Sequence, residues 1–150
     1  MARQASLRVF DIEEANRSIA ELRKTLPALR RILRDIEKME DRLEILDLIC
    51  NRSVVSENPD LQEYLGKKVK YHRRIAEFEG MLLRMEEAGF LLRDLDVGVV
   101  HFLGRRSGKT VLLCWKEGEK KISHWHSLDA ESTEEDTRRP IDDFDAFSAK

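Results

Sequence analysis

The chain has 150 residues, 41% of them hydrophobic and 37% charged, with a formal net charge of −2. That length suits one domain, and that balance suits exposed helices around a narrow apolar seam rather than a thick core. No run approaches the roughly eighteen apolar residues of a membrane span, and two cysteines make no disulfide framework. The opening MARQASLRVF lacks an apolar stretch suited to secretion, so the expected location is the cytoplasm.

In chain order, the first element is a helix starting near Ile12. Asp11 is placed to cap it, Glu14 to complete a capping box, and Phe10 and Ala15 to form a hydrophobic staple. Apolar residues then recur at alternating three- and four-residue steps: Ile12, Ala15, Ile19, Leu22, Leu26, Leu29, Leu33 and Ile36. After one irregular step the stripe resumes as Met39, Leu43, Leu46 and Cys50. This period keeps one helical seam facing a partner. Pro27 removes a backbone hydrogen bond and collides with the carbonyl of Arg23, which predicts a kink or break near Leu26.

Asn58 and Pro59 supply a cap and a first-turn proline for a second helix, which Gly89 ends. Its stripe reads Leu61, Tyr64, Lys68, Tyr71, Ile75, Phe78, Leu82 and Met85. The two helices form a long antiparallel hairpin over residues 11–89.

Beyond Gly89 the period shortens to two. Val99–Leu103, Val111–Trp115 and Ile122–Leu128 are short, β-branched and aromatic, and are separated by Ser107-Gly108 and Glu117-Gly118-Glu119. They predict a three-stranded antiparallel meander over residues 97–128. A two-residue turn at Ser107-Gly108 sets Arg106 opposite Lys109, Phe102 opposite Leu113, His101 opposite Cys114 and Val100 opposite Trp115. A two-residue turn at Gly118-Glu119 would then pair Trp115 with Ile122 and Leu113 with His124, leaving Trp115 and Trp125 on different faces.

Residues 129–150 carry eight acids against three bases, while the remaining chain carries 24 bases against 21 acids. Residues 1–129 are therefore read as a single α+β domain and 130–150 as an acidic, flexible tail, within which Pro140, Ile141, Phe144 and Phe147 could dock.

Several phrases carry a resemblance: Val9-Phe10-Asp11-Ile12-Glu13-Glu14-Ala15-Asn16 at the helix start, Leu112-Leu113-Cys114-Trp115-Lys116-Glu117-Gly118-Glu119, Ile122-Ser123-His124-Trp125-His126, and Arg139-Pro140-Ile141. The chain resembles, over nearly its whole length, an uncharacterised bacterial family known as domain of unknown function 2203. Where a small, glycine-bearing link is expected after the Trp-His phrase, this chain has the acidic Glu131 to Asp136. The family has no established activity, so the resemblance implies a fold and no reaction.

Candidate chemistry is confined to a few places. Gly104-Arg105-Arg106-Ser107-Gly108-Lys109-Thr110 imitates a phosphate loop, but it has one residue too few between its glycines and a strand where the loop needs a helix; a basic-shouldered hairpin is expected. His124 and His126 point to one strand face about 6–7 Å apart. They could hold a divalent metal such as zinc if Asp129, Glu119 or Glu117 joined them. His101 opposite Cys114 could activate a thiolate, although packing is the commoner fate of such a pair. Trp125 could meet a partner. Lys67, Lys70 and Arg74 share a helical face that could track phosphates, opposed by Glu37, Glu40, Asp41 and Glu44 as ion-pair partners.

Three roles follow in order. First is a non-enzymatic assembly module, homodimeric through its hairpin. Second is a metal or small-ligand site at His124, His126 and Asp129. Third is weak nucleic-acid binding through Lys67, Lys70 and Arg74.

Overall fold

In the computed structural model, residues 8–50, 59–128 and 138–147 are described. Two helices, α1 (Ile12–Cys50) and α2 (Pro59–Glu87), precede five strands: β1 (Phe90–Asp94), β2 (Val99–Arg106), β3 (Lys109–Lys116), β4 (His124–Ser127) and β5 (Arg139–Pro140). The strands form one antiparallel sheet in sequence order. The chain divides into two compact units, residues 27–82 and the remainder.

The helix start has the expected Asp11 cap and buried staple, but the Glu14 carboxylate turns to Arg8. The Asp11 carboxylate accepts from the Glu14 amide at 2.7 Å, while the Glu14 carboxylate pairs with Arg8 at 3.3 Å. Phe10 and Ala15 are fully buried. α1 is one unbroken helix through Pro27, so of the two expected outcomes, a kink or a break, the break does not occur. The lost i−4 bond and the clash with the Arg23 carbonyl are local costs, and thirty-nine residues of helix carry the rest.

Within residues 27–82, Leu29, Ile32, Ile36 and Leu46 of α1 are buried, facing a ridge of α2 that stays half-buried at Leu61, Tyr64, Tyr71, Ile75, Phe78 and Leu82. Ile32 sits in the seam where the stripe named Leu33, so the irregular step falls earlier, between Leu29 and Ile32. Lys68 is exposed. The antiparallel register is marked by Arg74–Asp35 at 2.6 Å, Tyr71–Glu40 at 2.7 Å and Arg42–Glu63 at 2.9 Å.

The other unit holds the sheet with the first turns of α1, whose Ile12, Ala15, Ile19, Leu22 and Leu26 are buried. Phe10 meets Phe102 edge-on at 5.1 Å and Phe90 at 6.2 Å, and its amide donates to the Leu103 carbonyl. Gly89 closes α2 with φ +92°; a Cβ there would lie 3.0 Å from the Phe10 ring.

The sheet has five strands rather than three. β1 grows directly from the Phe90-Leu91-Leu92 run, which lacks polar alternation, and β5 is a two-residue edge strand containing a proline. The β2–β3 register is the expected one throughout, with Ser107 and Gly108 both at positive φ in the turn. The β3–β4 register differs by one: Leu113 faces Trp125, and Cys114 faces His124.

The cause lies in residues 117–123. The Trp115 indole donates to the Glu119 carbonyl at 3.0 Å, the Glu119 carboxylate accepts from the Lys116 amide at 2.7 Å, and the Ile122 amide donates to Asn16 of α1 at 2.7 Å. Ile122 is thereby drawn out of the ladder and buried. A one-residue slip exchanges the faces. Trp125 therefore joins Trp115 and Leu113, while His124 and His126 join His101 and Cys114.

Of the segment expected as a tail, residues 138–147 return to the sheet, although most of their side chains stay exposed. β5 pairs with β4, the Ser107 amide donates to the Ala146 carbonyl, and Phe147 is buried 5.9 Å from Trp125. The acidic run Glu131 to Asp136 lies outside the described residues.

Candidate metal centre

The exchange of faces assembles a cluster that no local segment contains. His101 of β2 and Cys114 of β3 are directly opposite. His126 of β4 faces Leu112 and so lies diagonally from Cys114 on the same face. All three are buried, at 3%, 1% and 3% exposure. The two imidazole rings stand 5.0 Å apart. One donor atom from each residue lies within 4.8 Å of the others. A tetrahedral zinc with bonds near 2.0–2.3 Å sets its donors about 3.3–3.8 Å apart. The donors therefore lie up to about 1–1.5 Å farther apart than in a closed tetrahedral site.

Arg138 extends it. Its Nε donates to Cys114 Sγ at 3.3 Å, and its Nη2 pairs with Glu119 at 2.6 Å. Burial depresses the guanidinium's pKa, but its bonds to Cys114 and Glu119 outweigh this and hold it above the ordinary arginine range. Arg138 thus places a positive charge and an N–H donor on the sulfur. The second Glu119 oxygen lies 3.6 Å from His124 Nδ1, which also meets the Ser123 hydroxyl at 2.9 Å.

The two histidines expected at a metal share this sheet face, with His124 directly opposite Cys114, but differ in burial and partners. His126 belongs to the buried cluster, whereas His124 is half-exposed and engaged with Glu119 and Ser123; Asp129 lies outside the described residues. Glu119 is committed to Arg138 and the Lys116 amide. Trp125 is buried against Phe147, with Arg106 and Arg139 over its ring. On α2, Arg74 is tied to Asp35 and Glu77, Lys67 stands 3.9 Å from Glu63, and Lys70 is exposed. Sequence reasoning set His101 beside Cys114 as a thiol–imidazole pair but separated them from His126, because the register was one residue out. Arg138 had no local signal.

A family model described as "Uncharacterized conserved protein (DUF2203)" matches residues 8–141. The chain belongs to the DUF2203 family. That span takes in both helices, the whole sheet and every residue of the cluster in this DUF2203 chain. No curated protein and no solved structure matches it. No helix among the described residues is long and apolar enough to cross a membrane.

Proposed function

We propose that this protein binds one transition-metal ion, zinc or a metal of similar softness, through His101, Cys114 and His126. The observation that carries this reading is the convergence of three buried donors on one sheet face within 4.8 Å. Two imidazoles and a thiolate suit zinc and copper, whereas calcium and magnesium prefer oxygen. Three protein ligands leave one tetrahedral position for water or a small ligand. Arg138, with Glu119 behind it, would orient the sulfur and balance its charge, as outer-shell partners do.

The test is elemental analysis of protein purified without a histidine tag. About one ion per chain is expected, lost in Cys114→Ser and His126→Ala and kept in His124→Ala. Metal-free protein that takes up neither zinc nor copper would overturn the reading, as would loss confined to His124→Ala.

A second reading, self-association through the hairpin, is favoured by apolar side chains exposed near its far end: Ile45, Leu48 and Ile49 of α1, and Leu65 and Val69 of α2. Light scattering at twice the chain mass, reduced to the monomer by Leu48→Glu with Val69→Glu, is the expected outcome.

A further inference from the structure

On the sheet face opposite the histidine–cysteine cluster, cations gather with no counter-charge paired to them among the described residues. Arg106 and Lys109 are a directly opposed cross-strand pair at the β2–β3 turn, an arrangement that like charges ordinarily avoid. Arg139, paired with Trp125, brings a third positive charge to the same face. The Arg106 and Arg139 guanidinium carbons lie 4.9 and 5.4 Å from the centre of one indole, that of Trp125. Among the described residues, no carboxylate pairs with Arg106, Lys109 or Arg139. The Arg106 Nε is buried with no hydrogen-bond acceptor among the described residues, which leaves a desolvated donor unsatisfied there.

These residues line an open cleft of about 460 Å³, whose walls also include Thr110, Val111 and Ser127. That volume is in the range of small-molecule sites. Its buried Trp125 and Val111 offer apolar surface beneath the cations.

We infer that this cleft binds a small molecule bearing a terminal, dianionic phosphate. The forked guanidiniums of Arg106 and Arg139 suit phosphate oxygens, and Lys109 adds a point charge. The phosphate would satisfy the Arg106 donor and relieve the repulsion among the three cations. The Gly104–Thr110 segment that imitates a phosphate loop would then contact phosphate through side chains on its strand shoulders, without a helix amino terminus. A phosphodiester, singly charged and flanked on both sides, fits less well.

Calorimetric titration at low ionic strength tests this, using inorganic phosphate, pyrophosphate, AMP and a dinucleoside monophosphate of the same base. Cys114→Ser protein keeps metal chelation out of the signal and makes the result independent of the proposed metal site. Pyrophosphate and AMP should bind and perturb tryptophan fluorescence. Arg106→Gln and Arg139→Gln should each weaken binding about tenfold, and Lys67→Gln with Lys70→Gln should leave it unchanged. Arg139 is exposed, so its replacement is expected to fold, and a thermal melt of each variant verifies that. No binding at millimolar probe, equal binding of the diester, or insensitivity to both arginine replacements in folded protein would overturn the inference.

Discussion

Cys114 is held between His101 on the neighbouring strand and the Arg138 guanidinium, so its chemistry is set by groups far away in sequence. Gly104 shows how little room the sheet leaves: a Cβ there would sit 2.9 Å from Leu113 Cγ, and Leu113 is fully buried. Gly104→Ala is therefore expected to destabilise by about 1–3 kcal/mol, measured by urea unfolding. Tyr71 donates to the Glu40 carboxylate, and this bond, with partial desolvation and the carboxylate's charge, raises the phenol above its ordinary range. A raised folded pKa means the bond's stabilisation is complete below the unfolded tyrosine value of about 10 and is lost as pH rises through the folded value. Wild-type protein should thus exceed Tyr71→Phe in stability at neutral pH, with the gap closing at strongly alkaline pH.

Among elements, α1 and the β3–β4 connection differ most in how they read from sequence. The cap at Asp11, the seam through Leu29 and the stop at Gly89 were all legible because each rests on neighbours within one or two turns. Pro27 leaves kink and break open in the sequence, and the helix stays continuous because the cost of a missing bond is local while the helix is held along its whole length. Pro27→Ala should raise the thermal midpoint, restoring one helical bond and removing a clash worth about 1–3 kcal/mol, less the entropy proline takes from the unfolded chain. The β2–β3 hairpin was legible because Ser107-Gly108 dictates a two-residue turn. The β3–β4 connection was not, since the bonds that lengthen it join Ile122 to Asn16 and Trp115 to Glu119.

For the whole molecule, a metal that binds only the folded chain stabilises it by mass action. Adding zinc to metal-free protein should raise the thermal midpoint, and chelation should lower it. Because imidazole and thiol must shed protons to ligate, the effect should fade as pH falls below about 6. Cys114→Ser should show neither shift. An unchanged melting curve across zinc, chelator and pH would count against a site at the cluster.

By itself the sequence determined the helical hairpin, the antiparallel sheet with its central register, and the supply of histidine, cysteine and tryptophan. Periodicity, capping and turn chemistry act over a few residues, so they can be read without coordinates. Only the tertiary structure decided which of those side chains meet. In a sheet, one residue of slip exchanges the two faces, and here that slip is governed by an asparagine on the first helix and a glutamate beside the third strand. It removed Trp125 from the histidine face, brought His126 to His101 and Cys114, and opened both a donor cluster and a cationic cleft that no stretch of sequence contains.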